Sequence, residues 1–140
     1  MNDEKLINIL LVEDDEVDIM NVQRAFRKNK INNPLFIAHN GLEALEMLRS
    51  GNIPKPHVIL LDINMPKMNG LEFLQELRSD ENLKRISIFV MTTSNEESDI
   101  INAYNLNVAG YILKPLSFEK FLNSMSTLNS YWKLCERPSV

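Results

Sequence analysis

The sequence predicts a single-domain α/β fold: a doubly wound, five-stranded parallel sheet with five helices on its two faces. Two observations carry this prediction. Short apolar runs alternate along the chain with longer segments whose apolar residues recur at helical spacing, and this alternation is typical of βαβ units. Four of the apolar runs also end in acids, hydroxyls or an amine, and open α/β sheets bind their ligands at the carboxyl ends of strands.

The predicted strands are short and apolar on both faces, as expected of a parallel sheet that is buried between helices. Turn-forming Pro, Gly and Asn residues bound several of them. The strands are predicted at about Leu6–Val12, Leu35–Ala38, His57–Leu61, Ile86–Met91 and Ala109–Leu113.

The first two helices are predicted from apolar periodicity between turn signals. Helix one would run from about Glu16 to Lys30, before the break at Asn32-Asn33-Pro34. Helix two would open at Asn40-Gly41 and close at Ser50-Gly51. The residues predicted to face inward are Val17, Met20, Ala25 and Phe26 in helix one and Leu42, Leu45 and Leu48 in helix two.

Three further helices follow the same pattern. Helix three is predicted from about Gly70 to Arg78, and helix four begins near Asn95 with acids in its first turns, where the helix dipole favours them. Ser117 is the predicted N-cap of the last helix, which would reach Cys135. The inward residues of helix three would be Leu71, Phe73, Leu74 and Leu77.

Composition restricts the class of protein. At 140 residues the chain is large enough for one domain with its own core, and its net charge of -4 argues against direct nucleic-acid binding. No apolar run is long enough to span a membrane, and residues 1–5 lack the pattern of a signal peptide. A lone cysteine, Cys135, fits a reducing cytoplasm, which is the expected location. His39 and His57 lack metal-ligand spacing.

Asp62 is the most informative residue. It closes the third apolar run and precedes a loop that contains Pro66 and Gly70, which puts its carboxylate at the mouth of a cleft, although a cap or turn role would explain an isolated Asp equally well. Other strand ends support the functional interpretation, since they carry Glu13-Asp14-Asp15, Thr92-Thr93-Ser94 and Lys114-Pro115. Carboxylates gathered at one sheet edge repel each other, and a divalent cation would resolve this; oxygen ligands favour Mg²⁺.

These motifs resemble, in order, those of the receiver domain of two-component response regulators. The resemblance covers the chain from about Leu6 to the 120s and implies a flavodoxin-like strand order, 2-1-3-4-5. The long segment before Asp62 and the aromatic pair Tyr131-Trp132 resemble the stand-alone regulators that serve phytochrome-type kinases. The matching segments are Val12-Glu13-Asp14, Leu61-Asp62-Ile63-Asn64-Met65-Pro66 with Gly70, Met91-Thr92, and Tyr111-Ile112-Leu113-Lys114-Pro115.

The resemblance implies a role for each residue of the site. Asp62 would be the phosphoacceptor. Asp14 and Asp62 would bind Mg²⁺ directly, Glu13 through water and Asn64 through its backbone carbonyl. Lys114 would supply a second cation beside the phosphoryl group, and a sensor histidine kinase or phosphotransfer protein, of phytochrome type, would be the phosphodonor.

The resemblance also implies a conformational switch. Thr92 would bond the new phosphoryl oxygens and Tyr111 would rotate into the space that Thr92 leaves, while Thr93 points away. Asp15, the third acid in its row, would begin helix one. The Lys114–Pro115 bond is a candidate cis peptide by resemblance, although the residues alone favour trans.

Two other functions compete with this one. A phosphohydrolase of the haloacid dehalogenase type also uses a strand-end Asp, but it places that Asp on its first strand and a second Asp where this chain has Asn64. A receiver-like module that binds partners without phosphorylation is the second alternative. A nucleotide-binding domain fits poorly, because no Gly-rich phosphate loop follows the first strand.

The last helix predicts a homodimer. A helix from Ser117 to Cys135 would span roughly 28 Å, whereas a strand covers roughly 17–20 Å. Its final turns would therefore overhang the sheet. The domain core would comprise about residues 6–128, and the helix would extend beyond it to about residue 136. Tyr131, Trp132 and Leu134 would then expose apolar area, unless the tail folds back on its own domain. With no output domain, signal would leave through the receiver itself. The apolar residues at helical spacing are Phe118, Phe121, Leu122, Met125, Leu128, Trp132 and Cys135.

Overall fold

Five parallel strands form one sheet in the order β2-β1-β3-β4-β5, which confirms the predicted fold class and strand order. The computed structural model describes residues 6–115 and 117–137, so the prediction about residues 1–5 lies outside the described residues. The elements are β1 (Ile9–Val12), α1 (Glu16–Lys28), β2 (Leu35–Ala38), α2 (Gly41–Ser50), β3 (Val58–Leu61), α3 (Gly70–Ser79), β4 (Ser87–Thr92), α4 (Glu97–Asn105), β5 (Gly110–Leu113) and α5 (Phe118–Leu134).

The strand register brings the carboxyl ends of the central strands to one edge of the sheet. Val12 of β1 lies beside Leu61 of β3. The hydrogen-bond ladder continues one residue further, because the Asp62 N–H donates to the Val12 carbonyl at 3.1 Å and the Lys114 N–H donates to the Thr92 carbonyl at 2.9 Å. The side chains that follow the strands are therefore held at this edge. Between β1 and β3 the order of the strands along the sheet reverses direction, and ligands of open α/β sheets bind at such a point.

The sheet is buried on both faces because alternate residues of a strand point to opposite sides. In β1, Leu10 and Val12 lie in the core beneath α2, α3 and α4, whereas Ile9 and Leu11 lie in the core beneath α1 and α5. Burial of apolar side chains, worth roughly 25 cal/mol per Å², is the main force that holds the two helical layers on the sheet.

The inward face of α1 differs from the prediction at two positions. Val17 and Met20 are 65% and 62% exposed, so their predicted burial is wrong. At 3.6 residues per turn, Val17 lies half a turn away from the buried Phe26, so one stripe cannot contain both. The buried residues of α1 are Ile19, Val22, Ala25 and Phe26.

In α2 the predicted burial of Leu42 is wrong, since this side chain is 52% exposed. The helix instead presents Gly41 to the loop after β3, where a Cβ at residue 41 would lie 2.8 Å from the Met68 carbonyl oxygen. That close approach turns the next residue outward. Ala44 and Leu45 are buried in the core, and the burial of Leu45 was predicted.

Two helix ends follow the predicted capping signals, and one does not. Ser117 caps α5 by accepting a hydrogen bond from the Lys120 N–H at 3.2 Å, as predicted. Gly51 ends α2 at φ +74°, in the left-handed region that glycine adopts without strain. Helix α1 ends at Lys28 rather than Lys30, because Lys30 itself has a positive φ of 56°.

The end of α5 folds back onto its own domain in part. Trp132 is 2% exposed, so its predicted projection into solvent is wrong. Its ring lies 6.5 Å from that of Phe26 in α1, because α5 runs along the same face of the sheet as α1. Tyr131 and Leu134 remain exposed as predicted, at 48% and 83%. None of the helices in the described part of the chain is long and apolar enough to cross a bilayer.

Candidate functional site

Three acids meet at the carboxyl edge of the sheet. Glu13, Asp14 and Asp62 each place a carboxylate oxygen within 4.8 Å of the other two. Glu13 and Asp62 are buried, at 2% and 7% exposure, while Asp14 is open to solvent. A set of hard oxygen donors with one exposed member suits a divalent cation that keeps part of its water shell.

Lys114 binds this cluster from the end of β5. Its ammonium donates hydrogen bonds to Glu13 Oε1 at 2.7 Å, to Asp18 Oδ2 at 2.7 Å and to Asp62 Oδ2 at 3.3 Å. Burial alone would lower the pKa of Lys114, but the hydrogen bonds to Asp18 and Glu13 and the charge of Asp62 raise it above its ordinary value. The lysine is therefore a permanent cation between the carboxylates.

Glu13 is the acid that is most affected by its surroundings. Burial raises its pKa from 4.5 to about 8; the charge of Asp62 raises it as well, whereas hydrogen bonds from Lys114 and from the Asp15 N–H lower it. The buried carboxyl group of Glu13 therefore takes up a proton more readily than an exposed glutamate does. A bound divalent cation would favour its ionised form, because a nearby positive charge stabilises a carboxylate.

The loop after β3 fixes the direction of the Asp62 side chain. The Asn64 N–H donates to Asp62 Oδ1 at 3.2 Å, so Oδ1 faces the loop and Oδ2 faces Lys114. Gly70, at the start of α3, donates its N–H to the Ile63 carbonyl at 2.9 Å. A Cβ at residue 70 would lie 2.5 Å from the Asp62 carbonyl oxygen, so the approach requires glycine.

Thr92 and Tyr111 are connected through Ser94. Thr92 is fully buried, and its hydroxyl accepts a hydrogen bond from the Ser94 N–H at 3.3 Å. The Tyr111 hydroxyl donates to the Ser94 carbonyl at 2.8 Å, and the Ser94 hydroxyl donates to Asp99 Oδ2 at 2.6 Å. Thr93 points to solvent, as predicted.

Comparison with protein families identifies the family of this chain. Residues 9–126 match the model of the response regulator receiver domain. The chain is a member of this family. The receiver is 38% identical over 128 residues to the response regulator Rcp1 of Synechocystis sp., a match that covers 89% of this chain and 87% of Rcp1.

Solved structures give the same result. The Mn²⁺-bound form of Rcp1 superposes with a TM-score of 0.86 at 35% identity, covering 96% of this receiver and 99% of that chain. The phosphorylated cyanobacterial phytochrome response regulator RcpA superposes with a TM-score of 0.89 at 33% identity, covering 97% of this receiver and all of that chain (100%). The receiver is therefore similar to phytochrome response regulators along most of its length, as its sequence indicates.

Asp18 is the residue of the site that the sequence prediction missed. It lies in the first turn of α1, where acids are common because the helix dipole favours them. No local pattern therefore distinguishes Asp18 as a site residue, and its partner, Lys114, lies 96 residues further along the receiver. Asp15, in contrast, caps α1 as predicted, since its Oδ1 accepts from the Val17 N–H at 2.8 Å.

The bond between Lys114 and Pro115 is trans. No cis peptide bond occurs within residues 6–115 and 117–137 of the receiver. The residues alone favour this geometry, whereas the family resemblance suggested a cis bond at this position.

Proposed function

We propose that the receiver accepts a phosphoryl group on Asp62 from a sensor histidine kinase or a histidine phosphotransfer protein, of phytochrome type. The observation that carries this proposal is the position of the Asp62 carboxylate between a permanent cation, Lys114, and two further acids, Glu13 and Asp14. Phosphoryl transfer depends mainly on positioning and on neutralisation of charge, and this arrangement provides both.

The residues present fit Mg²⁺, the metal that we propose for the site. Asp14 and Asp62 would bind it directly, Glu13 through water and Asn64 through its backbone carbonyl. All of these donors are oxygens, and the exposed side of Asp14 leaves room for the waters that Mg²⁺ retains. When bound, Mg²⁺ neutralises charge on the phosphoryl oxygens. The similar receiver Rcp1 binds Mn²⁺ in its solved structure, and Mn²⁺ is a divalent ion with similar ligand preferences.

The chemical step assigns a task to each residue that touches the phosphoryl group. A carboxylate oxygen of Asp62 forms a bond to phosphorus while the bond from phosphorus to the donor histidine nitrogen breaks. Lys114, already 3.3 Å from Asp62 Oδ2, donates a hydrogen bond to a phosphoryl oxygen. The Asn64 N–H keeps the other carboxylate oxygen in place.

Thr92 and Tyr111 would pass the event to the surface of the protein. The Thr92 hydroxyl would turn to the phosphoryl oxygens and give up the hydrogen bond that it accepts from the Ser94 N–H. Because Tyr111 is bonded to the carbonyl of Ser94, a shift of this residue frees the ring to rotate inward. The surface that changes is formed by α4, β5 and α5.

The same surface would support a homodimer or a partner protein. It exposes large apolar side chains: Ile101 at 51%, Tyr104 at 51% and Leu113 at 49%. Tyr131 and Leu134 add exposed apolar area at the end of α5, whereas Trp132 is buried and takes no part.

Phosphorylation from a small-molecule donor tests the proposal directly. Incubation with acetyl phosphate and Mg²⁺ should add one phosphoryl group, measured by intact mass, and Asp62→Asn should abolish the addition. Asp14→Asn should slow it at least tenfold at limiting Mg²⁺ because a metal ligand is lost. Asp80→Asn makes the same charge change at a partly exposed site beyond the end of α3 and should take up phosphate like the wild type.

Two outcomes would contradict the assignment. A phosphoryl group retained in Asp62→Asn would place the acceptor elsewhere. No uptake by the wild type, with normal folding, would favour the phosphorylation-independent binding module. The family match already favours a receiver over a phosphohydrolase of the haloacid dehalogenase type.

A further inference from the structure

Lys114 has three protons to donate, and all three are engaged. The two shorter hydrogen bonds go to Glu13 and Asp18, both at 2.7 Å, and the longest goes to Asp62 at 3.3 Å. The hydrogen bond from Lys114 to Asp62 is therefore the longest of the three, although Lys114 would stabilise a phosphoryl group on Asp62. Asp18 is the only one of the three acceptors outside the acidic cluster of Glu13, Asp14 and Asp62.

Asp18 is held in this position by the start of α1. The Asp15 side chain, which caps the helix, accepts a hydrogen bond from the Asp18 N–H at 3.2 Å. The next residue, Ile19, is 4% exposed in the core beneath α1 and α5, which fixes the rotation of the helix about its axis. The Asp18 side chain is one-third exposed (34%) but faces Lys114. Its contact is thus set by the fold of the backbone.

We propose that Asp18 is a positioning residue that draws Lys114 away from Asp62 and thereby limits the lifetime of the phosphorylated state. This inference rests on the proposed phosphorylation of Asp62. A phosphoryl group on Asp62 can use Lys114 only if the ammonium gives up one of its present acceptors or shares a proton with it. Asp18 therefore competes with the phosphoryl oxygens for the ammonium of Lys114.

The same geometry predicts opposite effects on a cation and on a phosphoryl analogue. Removing the Asp18 charge leaves Lys114 to pair more closely with Asp62 and Glu13, so Mg²⁺ should bind more weakly to the unphosphorylated protein. Beryllofluoride, which mimics the phosphoryl group on Asp62, should bind more tightly at saturating Mg²⁺, because Lys114 is free to contact it. A merely structural role for Asp18 would weaken both.

The experiment compares Asp18→Asn with Glu16→Gln. Glu16 lies in the same turn of α1 and loses the same charge, but its contact is with His39 at 3.5 Å and not with Lys114. Asp18→Asn should lengthen the half-life of the aspartyl phosphate and tighten beryllofluoride binding by roughly three- to tenfold, the range for loss of a charge-assisted contact. Glu16→Gln should change either quantity less than twofold.

A double-mutant cycle shows whether Asp18 acts through the lysine. In a Lys114→Met background, Asp18→Asn should alter Mg²⁺ affinity and phosphoryl half-life no more than Glu16→Gln does, because the lysine that Asp18 positions is absent. An equal effect in both backgrounds would overturn the proposal, and so would a shorter half-life in Asp18→Asn. If the wild type takes up no phosphate, the proposed function fails. The double-mutant cycle, measured by Mg²⁺ affinity, still tests the coupling between Asp18 and Lys114.

Discussion

At the scale of single residues, one ammonium balances the charge of several carboxylates. Lys114 lies within 3.3 Å of Glu13, Asp18 and Asp62, and its side chain is only 13% exposed. A buried cation and buried acids of this kind are stable only together, since each would be costly to bury alone. The site is therefore built as one unit, in which a change at any member alters the electrostatics of the others.

A glycine beneath the site supplies a prediction at this scale. Gly70→Ala would place a Cβ 2.5 Å from the Asp62 carbonyl oxygen and 2.7 Å from Ile63 Cα, so the backbone of the loop must shift. We expect a loss of about 1–3 kcal/mol of stability, as for overpacking in a core, and slower uptake of phosphate by the displaced Asp62. Urea denaturation and phosphorylation with acetyl phosphate measure the two effects.

Gly110→Ala is the matched control for this change. Its Cβ would meet Phe89 Cδ1 at 3.4 Å, an ordinary contact with a side chain that is able to adjust. Stability and phosphate uptake close to the wild type are expected there. If the two variants behaved alike, the close contact between Gly70 and the Asp62 carbonyl would not be what positions Asp62.

At the scale of elements, α5 secures α1 against the sheet. Trp132, near the end of α5, is 2% exposed and packs on Phe26, near the end of α1. Its Nε1–H donates to Asn129 Oδ1 at 3.0 Å, so the one polar atom of the ring is satisfied. The final turns of α5 are thus part of the core rather than an appendage.

Truncation of this ring should destabilise the whole domain. Trp132→Ala should cost about 3–5 kcal/mol, as large-to-small changes of buried aromatic residues do. Tyr131→Ala removes the neighbouring ring, which is half exposed and lies 5.7 Å from the Phe89 ring between centroids. Its cost should be smaller by at least half. Urea denaturation followed by far-ultraviolet circular dichroism compares them. Similar losses for both would mean that burial of Trp132 is not what secures the end of α5.

At the scale of the whole molecule, the site and the proposed output surface occupy different parts of the domain. The acids and Lys114 lie at the carboxyl edge, while the exposed residues Ile101 and Tyr104 lie on α4. Hydrogen bonds connect Thr92 through Ser94 to Tyr111 among the described residues. We propose this network as the route by which a charge added at Asp62 would alter association of the protein.

Association should depend on the surface of α4, β5 and α5. Ile101→Glu should weaken a dimer through this surface by roughly tenfold or more, because a charge would be buried at the contact. Val17→Glu changes a similarly exposed apolar residue on α1 and should leave association unchanged. Light scattering on each variant, with and without acetyl phosphate, gives the oligomeric state. Monomers under every condition, or equal effects of the two variants, would exclude this dimer.

Much of the site could be predicted from the sequence because strand ends are local features. The apolar runs before Glu13, Asp62 and Lys114 predict strands, and the parallel order of a doubly wound sheet brings their carboxyl ends to one edge. The residue immediately after each run must then lie close to the others. No knowledge of side-chain packing is needed for this step, which is why the structure places these residues together.

Tertiary structure alone decided which side of each helix faces inward and what each charged group touches. Val17 and Met20 have the apolar character of core residues but lie outside, because Ile19, Val22 and Phe26 complete the stripe that meets α5. Trp132 is covered by α1, an element from the other end of the chain. The pairing of Asp18 with Lys114 has the same origin. Local periodicity defines the possible faces of a helix, but only the neighbours that pack against it select one, and these lie far away in sequence.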